Sequence, residues 1–233
     1  MKALVRGSSL AIATRQRLIE TAAELFARRG FKDVTIREIC RAGRANVAAV
    51  NYHFHDKLGL YTAVVRAAIA QIRGTSDLAR QAGEGASPAE KLRAYVRVFL
   101  ERAAARGRDA WMYQLMAREM TEPTPAFDLI VQQAIRPRIA YLGGIIGELV
   151  GCPPTDDRVL RSIASLQAQL LFFSNPGVAR MYPTLDLAPP AIEDLADHIA
   201  TFSLAGIRAA GQRRPSRAAR TPRGGPRRAV QTA

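Results

Sequence analysis

A chain of 233 residues with 48% apolar residues is long and apolar enough to build a sizeable core, which excludes wholesale disorder. Aromatics reach only 6%, alanine, leucine and arginine dominate, and β-branched runs are scarce, so the composition points away from strands and toward an all-α fold. The net charge of +14 sits at the ends: residues 1–61 carry 11 Lys/Arg against 5 Asp/Glu, residues 208–233 carry 8 Arg and no acid, and residues 62–207 carry 15 of each. A neutral body between basic ends implies that only the ends meet a polyanion.

Residues 1–12 read as a flexible arm. A first helix spans Ala13 to Arg29, with Leu18, Ile19, Ala22, Leu25 and Phe26 at helical spacing, and Gly30 closes it. Thr35-Ile-Arg-Glu38 is a capping box that opens a short helix from Ile36 to Arg41. Ala42, Gly43 and Arg44 form a tight turn, and Asn46 caps the next helix, Val47 to about His53. Asp56 caps a fourth helix running from Lys57 toward Ile72, followed by a polar break from Gly74 to Gly85.

Ser87-Pro-Ala-Glu90 is a second capping box, and its helix runs to about Arg106, ended by Gly107. Asp109 caps a helix to Met120. Another spans Phe127 to Val150, with a kink expected at Pro137. Gly143, Gly147 and Gly151 recur every four residues, which fits either close helix packing or a frayed helix end. Asp156 caps a helix to Phe173, Asn175-Pro-Gly177 is a loop, and a last helix covers Ala191 to Ala210. Residues 211–233 are arginine, alanine, proline and glycine without period, and read as a basic disordered tail.

Cys40 and Cys152 lie far apart and outside any CxxC or Cys/His cluster, as in a reducing cytoplasm, with no disulfide framework or zinc site expected. No segment offers the ~18 uninterrupted apolar residues of a membrane span, and Leu10–Ala13 is too short for a signal-peptide core. The expectation is a cytoplasmic protein with no membrane partner. His53-Phe-His55 lacks further ligands at metal-binding spacing, so no metal is expected. His198 has Asp194 four residues before it on one helix, an ordinary surface pair. With no GxSxG elbow and no phosphate loop, the sequence points to no catalytic residue, no cofactor and no enzyme activity.

Two short helices joined by a tight turn, the second opened by a small polar cap, form the helix-turn-helix pattern. Beyond this pattern, residues 14–69 resemble the N-terminal domain of the TetR/AcrR family of regulators. The matching residues are Ile19-Glu-Thr-Ala-Ala-Glu-Leu-Phe26, Arg29-Gly-Phe31, Val34-Thr-Ile-Arg-Glu-Ile39 and Asn51-Tyr-His-Phe54, followed by Asp56-Lys57 and Leu60-Tyr61. Ala45 to Phe54 is most similar to the CecR subgroup, and Arg118 to Phe127 resembles that subgroup's effector domain.

The resemblance implies a three-helix DNA-binding domain over residues 13–61, a larger ligand-binding and dimerisation domain over 62–210, and the tail. It implies a homodimer on a palindromic double-stranded operator, released by a small-molecule effector. Thr35 would touch a phosphate from a helix N-terminus. Val47, Ala48, Ala49 and Asn51 would face base edges, with Asn51 reading adenine. Tyr52, His53 and Lys57 would fix register on phosphates, and Asn46 would cap the reading helix. Val50, Phe54 and Leu60 would be core. The family's usual turn glycine is Arg44 here, so either Gly43 takes the left-handed angle or the turn is reshaped, and Arg44 is then a candidate phosphate contact.

Trp111, Met112, Met116, Arg118, Met120, Phe127, Gln167 and Phe172 are the effector-pocket candidates, with Tyr113 and Glu119 beside them. Leu166, Leu170, Leu195, Ile199 and Phe202 are the dimer-interface candidates. Two alternatives stand next to the repressor reading: an activator with the same docking, and a non-specific nucleic-acid binder driven by the tail.

Overall fold

The computed structural model describes residues 2–104, 110–175, 177–185 and 191–212. These residues form helices and turns, with no strand among the described residues, so the all-α reading holds. The first four helices are α1 (Lys2–Arg29), α2 (Ile36–Ala42), α3 (Val47–Phe54) and α4 (Lys57–Ala82). Then come α5 (Pro88–Ala104), α6 (Ala110–Thr121) and α7 (Phe127–Ile130). A π-helical turn, Val131–Ile135, leads into α8 (Arg136–Val150), followed by α9 (Asp157–Phe173), α10 (Val178–Met181) and α11 (Ile192–Gln212).

Two elements are longer than their sequence pattern predicts. The arm expected over residues 1–12 is helical from Lys2, because no proline interrupts the run and the single Gly7 costs only about 1 kcal/mol in a helix. The break expected from Gly74 is absent, and α4 continues to Ala82. Thr75 and Ser76 donate their hydroxyls back to the carbonyls of Gln71 and Ile72 at 3.1 and 3.3 Å, so the polar stretch satisfies itself inside the helix. The expected boundary at residue 61 therefore falls within one continuous helix.

Where a kink is expected at Pro137, the helical run instead carries a π turn just before it, and Pro137 stands in the first turn of α8. Proline has no N–H and its ring excludes the carbonyl four residues back, and a wider turn before it relieves that clash. The three spaced glycines divide between both alternatives. A Cβ at Gly143 would sit 3.1 Å from Pro154, and one at Gly147 would sit 2.7 Å from the Cys152 carbonyl, so these two allow close packing. Gly151, at φ +67°, ends α8.

The helix end at Gly107, the cap at Asp109 and residues 213–233 of the tail lie outside the described residues, while Gly211 and Gln212 complete α11. The short α10 was not foreseen by the sequence pattern.

Two cores organise the molecule. One gathers Leu18, Phe26, Val34, Ile39, Val50, Leu60 and Val64 from α1 to α4, and extends to Met112 and Leu115 of α6 and Ile130 of α7. The other gathers Leu92, Tyr95 and Phe99 of α5 with Leu142 and Ile146 of α8, Leu166 and Leu170 of α9, and Ile199 of α11. Thus α6 and α7, though distant in sequence, are built onto the N-terminal core. Four of the five interface candidates belong to the second core: Leu166, Leu170, Leu195 and Ile199 are buried within the chain. Helical periodicity located an apolar face, but it is the inward one. Phe202 (65% exposed) and Leu160 lie on the outward face.

Candidate nucleic-acid interface and effector cavity

The turn-and-helix segment is set by short-range bonds. The Thr35 hydroxyl accepts from the Glu38 N–H at 3.2 Å and donates to the Glu38 carboxylate at 2.7 Å, while that carboxylate accepts from the Thr35 N–H at 2.8 Å. Arg29 donates to the same carboxylate at 2.7 Å. The Arg29 and Thr35 bonds hold the Glu38 carboxyl down at about 2, from an ordinary 4.5. Asn46 caps α3 by accepting from the Ala48 N–H at 3.0 Å.

Between the two helices, Arg44 takes the left-handed angle itself, at φ 48°, and Gly43 does not, at φ −83°. Gly43 is needed for a different reason. A Cβ there would meet the Ile39 carbonyl at 3.1 Å and the Thr21 hydroxyl at 3.2 Å. Arg17 of α1 donates to the Gly43 carbonyl at 2.9 Å and fixes the turn to the body of the domain. That strut spans 26 residues and had no signal in the sequence.

On α3, Val47, Ala48, Asn51 and Tyr52 share the exposed surface, Tyr52 being 78% accessible. Val50 and Phe54 are buried, as expected, and so is Leu60 of α4. Ala49 is half-buried against the N-terminal core, on the flank of α3 that turns inward. The half-buried His53 ring stands 4.9 Å from Tyr52 and 6.0 Å from Phe54. Lys57 is partly committed inside the protein, donating to the Lys32 carbonyl at 3.1 Å with its ammonium 4.5 Å from the Phe31 ring.

Residues of α4, α5, α6, α7, the π turn, α8 and α9 line an apolar cavity of about 60 Å³. Of the predicted residues, Met112, Met116, Met120 and Phe127 line it, as do Tyr113 and Glu119. Trp111, Arg118, Gln167 and Phe172 do not. Trp111 packs on the N-terminal core. Gln167 donates to the Tyr95 hydroxyl at 2.8 Å. Phe172 is 42% exposed beside Phe173 and Tyr182. Arg118 faces the other way: its guanidinium donates to the Ala27 carbonyl at 2.8 Å and to the Arg28 carbonyl, capping α1. Sequence reasoning also missed Ile72, Thr75 and Ser76 of α4 and Tyr95 and Phe99 of α5, which reach the cavity from elements distant in the chain.

Glu119 is 1% exposed. Its carboxylate accepts from the Tyr61 hydroxyl of α4, from the Thr124 hydroxyl at 2.7 Å and from the Thr124 N–H at 3.1 Å. Burial, and then the Glu119 contact, push the Tyr61 hydroxyl well above its ordinary range. Successive residues of α6 thus hold two helices of the head: Arg118 holds α1 and Glu119 holds α4.

A capped turn that presents a short exposed helix, with a cavity in the helical body behind it, defines a helix-turn-helix DNA-binding regulator. Residues 18–64 match the sequence profile of bacterial regulatory proteins of the tetR family, and residues 88–207 match that of the C-terminal domain of the HTH-type transcriptional dual regulator CecR. The chain belongs to the TetR family of transcriptional regulators, in its CecR-like group. It is 28% identical over 173 residues to the HTH-type transcriptional dual regulator CecR of Shigella flexneri, covering 68% of this chain and 74% of that protein.

Solved structures share the fold. AibR in complex with isovaleryl coenzyme A and operator DNA superposes with a TM-score of 0.63 at 19% identity, over 81% of this chain and 97% of that one. The fatty acid degradation regulator FadR of Bacillus halodurans superposes with a TM-score of 0.62 at 15% identity, over 84% and 96%. No helix among the described residues is long and apolar enough to cross a membrane.

Proposed function

We propose that the protein is a repressor that binds a palindromic operator as a homodimer and leaves it when an effector occupies the α4–α9 cavity. Residues 13–61 act as the DNA-binding unit and residues 62–210 as the effector and dimerisation unit, with α4 common to both. Val47, Ala48 and Asn51 contact base edges, with Asn51 pairing to adenine. Thr35, Arg44, Tyr52, His53 and Lys57 contact phosphates, and the basic tail adds sequence-blind attraction. The outward face of α9 and α11, with Leu160 and Phe202, meets its two-fold mate.

The observation that carries the switching part is the Arg118–Glu119 pair. A cavity of about 60 Å³ is far below the ~300 Å³ of ordinary ligand sites, so an effector must part the helices to enter. Displacing α6 pulls at once on the α1 end and on Tyr61 of α4. A state with displaced heads binds DNA more weakly, and the effector favours that state.

Selection of bound sequences from a random DNA pool with the purified full chain tests the reading. A palindrome with half-site centres roughly 10–17 bp apart is expected. Enrichment of no motif, with binding lost when residues 213–233 are removed, would instead favour the tail-driven reading. The Shigella relative is a dual regulator, which gives one reason to consider activation from the same docking. Transcription from a reporter carrying the selected site decides the sign.

A further inference from the structure

A second opening lies against the cavity, on the outer side of α4. It is a groove of about 290 Å³, between α4 and the π turn with the start of α8. Arg73 and Arg80 of α4 line it, two helical turns apart on one face, and Arg138 of α8 faces them. Among the described residues, Asp77 is the one carboxylate on its walls, and it pairs with Arg80 at 3.4 Å. Three guanidiniums against one carboxylate leave the groove with a surplus of positive charge. The Arg80 guanidinium also stacks 4.9 Å from the Tyr141 ring, which holds it in place.

The groove and the apolar cavity are neighbours. Ser76 and Arg138 line both of them. Arg138 also interacts with the Tyr95 hydroxyl on the cavity side. An apolar chamber that adjoins an arginine-walled groove matches a molecule with two unlike ends. The chamber is walled by Met112, Met116, Phe127 and Ile130, which offer dispersion contacts and few polar partners. The groove offers planar donors suited to the two oxygens of a carboxylate or phosphate.

We propose that the effector is an amphipathic anion, with its hydrocarbon part in the cavity and its carboxylate or phosphate held by Arg73, Arg80 and Arg138. This rests on the effector-cavity reading above. The π turn contributes Gln132 and Gln133 to the groove wall, whose amides suit the oxygens next to the charge.

Calorimetric titration of the full chain with octanoate, octyl phosphate and octanol tests it. These probes share a chain and differ in the head, so they separate carboxylate from phosphate and both from neutral. At least one anion should bind about tenfold or more tightly than octanol, and this advantage should shrink as salt is raised. In the R73Q/R80Q double variant, which keeps Arg138, the anion's advantage over octanol should shrink at least severalfold, with octanol itself unchanged. Both arginines are exposed, so that variant keeps its fold, and its melting curve verifies this. Equal binding of all three probes, no binding of either anion, or an anion preference undiminished in the double variant would overturn the proposal. Met116→Trp, which fills the cavity, should abolish binding of every probe. If it leaves all of them untouched, the cavity reading itself fails, whatever the arginines do.

Discussion

The segment from Thr35 to Lys57 and the cavity behind it are assembled in opposite ways. In the first, the helix caps join residues within a few positions, Thr35 with Glu38, Asn46 with Ala48 and Asp56 with Gly59, and Arg17 and Lys57 then tie the segment to the rest of the domain. The second draws its walls from α4 to α9 and the π turn, and its buried carboxylate bonds to a hydroxyl 58 positions away. A surface built locally can lose a side chain and keep its shape. A chamber built from many helices cannot, because its polar wall is also what holds the helices together.

That contrast can be broken by experiment. The largest effect is expected at Glu119. Glu119→Ala removes the carboxylate partner of the buried Tyr61 hydroxyl and of the half-buried Thr124 and should lower stability by about 3 kcal/mol, read from urea unfolding. A loss below about 1 kcal/mol would mean the carboxylate is not a structural tie. Asn51→Ala should do the reverse: unchanged melting, but affinity for the selected operator lowered about tenfold to a hundredfold. Equal operator affinity would remove Asn51 from the reading surface.

Arg44→Gly relieves a left-handed arginine and should stabilise the chain by about 0.5–1 kcal/mol. If Arg44 also holds a phosphate, the slope of log affinity against log salt should fall by about one contact. The smallest effect is the acid limb of the stability curve. Glu38 titrates at about 2 in the fold against an ordinary 4.5. Its contribution is therefore complete above about pH 4.5 and fades as pH falls toward 2. Glu38→Gln should remove that limb, seen as a urea midpoint that no longer drops over this window on Glu38's account.

How much of this was legible in the chain follows the same division. The capping residues Thr35, Asn46, Asp56 and Ser87 are visible because a cap needs a particular side chain at a fixed offset from its helix. The exposed row on α3 follows from the position of Asn46, with Ala49 and His53 half-buried beside it. The cavity was half visible. Methionines of α6 announce themselves by composition, but Tyr95, Phe99 and Ile72 enter through helix crossings that no local pattern encodes.

Arg118 was assigned to the wrong side because a polar residue amid methionines fits a pocket as well as it fits a helix cap. Only the packing of α6 on α1 decides between them. Four of the five interface candidates, all but Phe202, turn out to lie inside the chain for a related reason. On α9 and α11 both faces carry apolar side chains, and periodicity alone does not say which face meets the chain's own core.

The π turn at Val131–Ile135 has a consequence for the spacing of everything after it. It carries a surplus residue within the helical run, so α8 is rotated by one residue's worth of arc, about 100°, relative to an uninterrupted helix. Arg138 faces the groove only in that phase. Deleting one residue from the turn would restore an even winding and swing the guanidinium away from Arg73 and Arg80. Length in this segment is therefore as constrained as sequence: a homologue shortened by a residue here would keep every helix and still present a differently charged door.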